Sequence, residues 1–422
     1  MISGSLFFKG SGVPRIAALN SKKGSFEMTK DDRQGMQTLI TDKEPAKTRV
    51  VVAMSGGVDS SVAAAILAEE GYDVIGITLR LHGDTDSSNQ RRKSCCGTQD
   101  ICDAQYVADS LGFPHYVLDY EEHFKNEVID VFVNSYLKGE TPVPCIYCNQ
   151  KIKFRDLLQR SKELDADCLV TGHYARCLQG QSRRELHRAR DMHQDQSYFL
   201  FTMTQNELDY VRFPLGDFNT KDDTRILAKR LGLNVANKPD SQDICFVKKG
   251  RYTDFIKSEC NEASSIGNFV HVDGRVLGQH QGIIHYTVGQ RKGLGIQDCR
   301  APGKPLFVVR IDAASNTIIV GSFDSLAVSS VFVRDVNWIG DDCLRTQGAN
   351  GILMLVKIRS TFTPVPAKVF FLLENMAKIN FIDPVAGVSP GQAAVFYDQN
   401  NQRVFGGGWI VQDDLAQIEP IT

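Results

Sequence analysis

The chain lacks a long apolar run: none approaches the roughly 20 residues that a membrane-spanning helix requires. An excess of either charge is also missing. Its 48 basic and 50 acidic side chains leave a formal net charge of -2, so no whole-molecule field advertises nucleic acid. Any RNA site has to be built from local patches. No secretory signal accompanies the 11 cysteines, which excludes a disulfide scaffold and points to thiol or metal chemistry in a reducing, cytoplasmic setting. Internal repeats and low-complexity tracts are absent as well. What remains is an ordinary globular composition, 42% hydrophobic and 23% charged, in a chain of 422 residues that is long enough for two or three domains.

Residues 1–48 carry Lys9, Arg15, Lys22 and Lys23 with no acid before Glu27, and read as a variable leader outside the fold, weakly suited to organelle import. From 49 to 265 apolar strands alternate with helical periodicity: strands at Arg49–Met54, Val74–Leu79, His115–Leu118 and Cys168–Thr171, with helices between them. That alternation predicts an α/β fold, a doubly wound parallel sheet binding ligands beyond the carboxyl ends of its strands. Beyond 265 the rhythm changes to short strand-like segments between Gly, Asp, Asn and Pro turns. This predicts small antiparallel β domains, one at 266–325 and a barrel-like one at 326–422.

The stretch from Arg49 to Ser61 organises the rest. A buried strand ends in Ser55-Gly56-Gly57-Val58-Asp59-Ser60, and a helix with Val62, Ala65 and Ile66 follows at once. A small-residue turn at a helix N-terminus offers backbone N–H groups and the positive end of the helix dipole to an anion. Asp59 repels phosphate unless a cation such as Mg²⁺ lies between them. No Gly-Lys-Ser/Thr follows, so this is not a Walker-type P-loop. The turn resembles the Ser-Gly-Gly-x-Asp-Ser motif of the PP-loop ATP pyrophosphatases.

Two cysteine-bearing stretches stand apart. Thr141-Pro142-Val143-Pro144-Cys145-Ile146-Tyr147-Cys148 leads into a basic helix, where the helix start with Lys151 and Lys153 predicts a lowered Cys148 pKa. Asp240-Ser241-Gln242-Asp243-Ile244-Cys245 is a polar loop closing on a second thiol. With these loops, Gly172-His173-Tyr174, Asp195-Gln196-Ser197-Tyr198-Phe199-Leu200, Gly289-Gln290-Arg291-Lys292-Gly293-Leu294-Gly295 and Ser389-Pro390-Gly391-Gln392, the chain from about residue 49 onward resembles the tRNA-specific 2-thiouridylases.

That resemblance implies ATP-dependent replacement of O2 of a wobble uridine by sulfur. ATP would be bound by residues matching Ala53, Met54, Ser55, Gly56, Gly57, Val58, Asp59 and Ser60, with Leu79 and Gly172. Cys148 would be the nucleophile, and Cys245 would carry persulfide sulfur from a donor protein. The tRNA would meet Val143, Pro144, Cys145, His173, Gln194, Asp195, Gln196, Arg359, Ser360 and Gln392. Arg183, Arg184, Arg188, Arg190, Lys248, Lys249 and Arg251 read either as phosphate contacts or as a solvated face. Many family members have an acid where this chain has Cys145. Cys145, Cys148 and Cys245 therefore also offer three thiolates to a [4Fe–4S] cluster, a route that competes with the persulfide.

The remaining cysteines divide. Cys168, Cys177, Cys260, Cys299 and Cys343 read as small buried hydrophobes, and Cys95, Cys96 and Cys102 border a polar surface segment. Two rival functions are weighed against thiolation. Another PP-loop adenylating enzyme, such as an amidating synthetase, would lack the two cysteine loops. A non-catalytic tRNA- or metal-binding protein has no use for an intact Asp59 and Ser60.

Overall fold

The computed structural model describes residues 43–82, 97–240, 244–247, 251–260, 265–346, 350–372 and 375–412. Most of the leader, Cys95, Cys96, Lys248, Lys249 and residues 241–243 lie outside the described residues.

Strand β1 (Arg49–Ala53) leads into α1 (Val58–Glu69), which ends before Gly71 at φ +84°, the left-handed residue that commonly closes a helix. Next come β2 (Asp73–Arg80), α2 (Gly97–Leu111) and β3 (His115–Asp119). A helical run follows, α3 (Glu121–Phe124), a π-helical turn and α4 (Asp130–Leu137). The cysteine loop forms α5 (Pro144–Tyr147), which continues into a π-helix, Cys148–Leu157, and then α6 (Leu158–Glu163). An α-helix was the simpler expectation there. Ile152 and Leu157 are both buried and five residues apart, the spacing of one π-turn.

After β4 (Cys168–Thr171), a hairpin of β5 (Ala175–Gln179) and β6 (Arg184–Arg188) precedes α7 (Gln205–Tyr210), β7 (Val211–Arg212) and α8 (Lys221–Arg230). Thr220 caps α8 in a complete capping box with Asp223. The five parallel strands take the order β3-β2-β1-β4-β7. Val50, Val51 and Val52 are fully buried because β1 is covered on both faces, as a central parallel strand must be. The strand order reverses between β1 and β4, which puts the switch point beside the Gly-Gly turn.

Beyond α9 (Tyr252–Glu259) lies a four-stranded sheet of β8 (Gly267–His271), β9 (Val276–His280), β10 (Phe307–Asp312) and β11 (Thr317–Gly321). Its order is β10-β11-β8-β9. The expectation of purely antiparallel pairing fails here, since β8 and β11 run parallel. A closed barrel follows, formed by β12 (Ala327–Trp338), β13 (Ile352–Lys357), β14 (Val365–Phe371), β15 (Ala377–Ala386), β16 (Ala393–Tyr397) and β17 (Val404–Ile410). Phe405 and Ile410 of β17 enter the barrel core. Val404 and Trp409 of the same strand join the core under the parallel sheet. The barrel wall is therefore also a wall of the core under the parallel sheet, and β17 is buried along its whole length. No helix among the described residues is long and apolar enough to cross a membrane.

Candidate active site

The turn after β1 is built for close approach. Gly56 has φ +73°, and a Cβ there would lie 2.2 Å from the carbonyl oxygen of Asp100, so only glycine fits. Ser60 Oγ accepts from the Ser55 N–H at 3.1 Å, and Ser61 Oγ donates to the Gly57 carbonyl at 2.9 Å. Thr78 on β2 donates to the Met54 carbonyl at 2.8 Å, fixing the strand end. Ala53 and Val58 flank the turn from β1 and α1. Gly172 closes the other side: a Cβ on it would meet the Ser60 nitrogen at 2.7 Å. Leu79, half-buried near the end of β2, touches both the core under the sheet and the cluster that holds Cys148. Every residue matched to ATP thus sits along one sheet edge.

Asp59 is already neutralised within the fold. Lys221 Nζ donates to its two carboxylate oxygens at 2.6 and 2.7 Å, and the Tyr174 hydroxyl donates to Oδ1 at 2.8 Å. A second ammonium, Lys238 Nζ, rests 2.9 Å from the Gly56 carbonyl and 2.6 Å from Asp100. Lys221 and Lys238 were not among the residues expected from the sequence. Each is a lone lysine in a polar stretch, with no local signal that it folds back onto the turn.

The two cysteine loops meet in one apolar cluster. Cys148, Ile152, Phe124, Phe132 and Phe246 belong to it, and Phe246 is the residue after Cys245. Phe246 packs edge-on to Phe124 at 5.8 Å and to Phe132 at 5.3 Å. Cys148 is buried, whereas Cys145 and Cys245 are exposed. The expected lowering of the Cys148 pKa is corrected. Burial pushes its thiol up and outweighs the opposing pull of Lys153. Cys245 is open to solvent on one side and crowded by protein on the other. That crowding, with Cys148 and Cys145 nearby, pushes its thiol up to about 12. Lys153 is the cation that acts on Cys145, Cys148, Cys245 and His173 alike. His173 is held well below the usual imidazole range by burial, and is therefore neutral near pH 7.

Among the described residues, no group of three or more His, Cys, Asp or Glu side chains is arranged to hold a metal ion. Cys145, Cys148 and Cys245 are not grouped as metal ligands there, so the [4Fe–4S] reading finds no support.

The residues matched to tRNA contact fall into two kinds. Cys145 is exposed, and Val143, His173, Gln194 and Ser360 are half-buried. The others are engaged inside the protein. Pro144 is buried. Asp195 has a fully buried side chain, which accepts from Arg188 at 2.6 Å, so it braces the turn from behind and offers RNA no side-chain face. Gln196 Oε1 accepts from the Tyr174 N–H at 3.0 Å. Arg359 donates to the Val288 carbonyl at 2.9 Å, and Gln392 donates to the Thr141 carbonyl at 2.7 Å. Of the arginine run, Arg183 donates to the Gly340 carbonyl at 2.8 Å and Arg188 is spent on Asp195. Cys168 and Cys177 are buried as expected; Cys299 and Cys343 are exposed, contrary to expectation, because they lie outside any core strand.

A parallel sheet with a Gly-Gly turn at its switch point, followed by a small sheet and a closed barrel, defines a protein of PP-loop-like fold. Three family models match in the same order: a tRNA methyl transferase HUP domain over residues 48–249, a tRNA methyl transferase PRC-barrel domain over 253–322 and an aminomethyltransferase beta-barrel domain over 328–410. The protein named tRNA-specific 2-thiouridylase MnmA of Parvibaculum lavamentivorans is 51% identical over 387 residues, covering 92% of this chain and 96% of that one. Its namesake in Paracoccus denitrificans is 53% identical over 368 residues, covering 87% and 92%. The chain belongs to the tRNA-specific 2-thiouridylase (MnmA) family. Among solved structures, the NMN synthetase of Francisella tularensis is similar at 17% identity and TM-score 0.31, covering 52% of this chain and 80% of that one. A 4-thiouridine synthetase–RNA complex with bound ATP is similar at 17% identity and TM-score 0.30, covering 51% of each. Likenesses that weak carry no argument.

Proposed function

We propose that this protein thiolates the wobble uridine of tRNA at O2, using ATP to activate the base and its own two cysteines to deliver sulfur. The observation that carries this reading is the single apolar cluster joining Cys148 to the Cys245 loop through Phe246, with Leu79 linking that cluster to the nucleotide edge.

An amide-like carbonyl oxygen is a poor leaving group, so it is first made a good one. The uridine O2 attacks the α-phosphorus of ATP, the bond to the β-phosphate breaks, and pyrophosphate leaves from the turn at Gly56 and Gly57. Asp59 is the residue that would hold Mg²⁺, whose charge offsets that developing on the phosphates. An ion binding there has to displace the ammonium of Lys221.

Cys245 then carries the sulfur as a persulfide; its exposure suits loading by a donor protein. The Cys148 thiolate attacks Sγ of Cys245, the persulfide S–S bond breaks and a Cys148–Cys245 disulfide forms. Hydrosulfide leaves, attacks C2 of the base, and AMP departs with the oxygen. In the alternative order the terminal sulfur attacks C2 first, and the same disulfide then frees the thiolated base. Either order oxidises two protein thiols, which a cellular dithiol resets. Cys145, Val143, His173, Gln194 and Ser360 are the residues we assign to the turned-out base and its neighbours. Asp195, Gln196, Arg359 and Gln392 hold that surface in shape.

The test is tRNA-dependent pyrophosphate release, the mark of adenylation, measured beside sulfur incorporation. Cys245→Ser should keep the first and lose the second. Undiminished thiolation in that variant overturns the reading.

A further inference from the structure

Tyr147, the residue before Cys148, lies flat on Trp409 of β17, with ring centroids 4.5 Å apart and planes within 4°. Trp409 is only 4% exposed, and is braced edge-on by Phe201 at 5.7 Å. Its ring belongs to the core under the parallel sheet, not to the barrel interior. Tyr147 touches both that core and the cluster that contains Cys148, so it bridges the two.

The preceding loop is fastened to the same barrel. The Thr141 N–H donates to the Pro390 carbonyl at 2.7 Å, Gln392 returns a bond to the Thr141 carbonyl at 2.7 Å, and Ser389 Oγ donates to Thr141 Oγ1 at 3.1 Å. Gly391 lets the two backbones meet, since a Cβ there would lie 2.8 Å from Glu140 Cβ. On the far side, Asn149 Nδ2 donates to the Phe199 carbonyl at 3.1 Å. Cys148 is therefore flanked by fixed points. The one immediately before it is an aromatic stack on a different domain.

We propose that Trp409 is a positioning residue for sulfur transfer. By stacking on Tyr147 it holds α5 against the barrel, so that the Cys148 sulfur stays within reach of the Cys245 persulfide it must attack. The barrel then contributes to the chemistry as well as to RNA contact, although Trp409 touches neither substrate nor thiol. The assignment rests on Cys148 being the nucleophile proposed above. Its physical basis is general: a rigid aromatic pair fixes geometry at little entropic cost, and a displacement of about 1 Å at a reacting atom costs up to about a hundredfold in rate.

The test uses the full-length protein as wild type, Trp409→Leu, Trp409→Phe and Tyr147→Leu. Three quantities are read: single-turnover thiolation, tRNA-dependent pyrophosphate release, and the rate at which iodoacetamide alkylates Cys148, mapped by mass spectrometry. Trp409→Leu and Tyr147→Leu should lose about tenfold or more in thiolation. Pyrophosphate release should stay within about twofold, and Cys148 alkylation should accelerate. Trp409→Phe, which keeps a stackable ring, should restore most of the thiolation. Thiolation and alkylation rates unchanged in Trp409→Leu overturn the proposal, as does an equal loss of pyrophosphate release and thiolation in both leucine variants. Should Trp409→Leu fail to fold, Tyr147→Leu decides alone, because its ring is only half-buried. The alkylation comparison needs neither ATP nor tRNA. A wild type that made no thiolated tRNA would contradict the function and leave the alkylation result standing.

Discussion

Lys221 covers both carboxylate oxygens of Asp59, so the acid of the Gly-Gly turn is neutralised from within the fold. Lys221 is held in turn by Asp240 at 3.3 Å and lies over the Tyr174 ring at 4.9 Å. Asp59→Asn should lower tRNA-dependent AMP formation by at least about tenfold while leaving Cys148 and Cys245 alkylation unchanged. AMP release and thiol labelling on the same preparation check this.

Gly56→Ala should close the turn. Its Cβ would strike the Asp100 carbonyl, which lies 2.2 Å from the position it must take, and the left-handed conformation adds roughly 1–2 kcal/mol of strain. Isothermal titration should show ATP affinity at least about tenfold weaker, with the melting temperature lowered by a few degrees.

Arg188 and Asp195 form an ion pair with side chains 6% and 0% exposed, at 2.6 Å. Removing one partner leaves a charge buried without its counter-charge. Arg188→Ala should therefore cost about 3–5 kcal/mol in urea unfolding. Arg188→Met combined with Asp195→Leu, which removes both charges, should cost less than Asp195→Leu alone, although it still orphans the Ala189 and Ser197 N–H groups that Asp195 accepts from. A single variant as stable as the wild type would mean that Asp195 is not the buried brace described here.

The thiols of Cys148 and Cys245 are pushed up by burial, so in the free protein both are neutral at pH 7. Their alkylation rates should climb with pH beyond the ordinary thiol midpoint of about 8.5, and Cys245 should show no plateau below pH 11. The sign follows from the raised pKa: the reactive thiolate is scarce below it and accumulates only as pH approaches it. Lys153→Met should shift both profiles further upward by removing the cation that opposes burial. Rapid labelling at pH 7, levelling off near pH 8, would contradict the structure.

What the sequence makes legible is set by how local each signal is. The strand, Gly-Gly turn and helix from Arg49 to Glu69 are contiguous, so periodicity and turn chemistry suffice to read them. The capping box at Thr220 is equally local. The π-helix from Cys148 is not, because its wide turn depends on which of Ile152, Phe154 and Leu157 the surrounding core accepts. In β15 the alternation of buried Ala377, Ile379 and Phe381 is legible, but it breaks at Ile382, Asp383 and Pro384, which barrel closure nonetheless holds in the strand. The lowered Cys148 pKa fails for a similar reason: neighbouring lysines are visible in sequence, whereas burial is a tertiary quantity. Lys221, Lys238 and Trp409 reach their partners across 162, 182 and 262 residues, and no window on the sequence contains both ends.

One measurement bears most directly on the central claim. Wild-type protein carrying a persulfide on Cys245 is given ATP and unmodified tRNA for a single turnover without reductant, then quenched and mapped by mass spectrometry. The account predicts a Cys148–Cys245 disulfide that appears in step with 2-thiouridine at the wobble position. Thiolated tRNA accompanied by Cys148 and Cys245 both still reduced would contradict it.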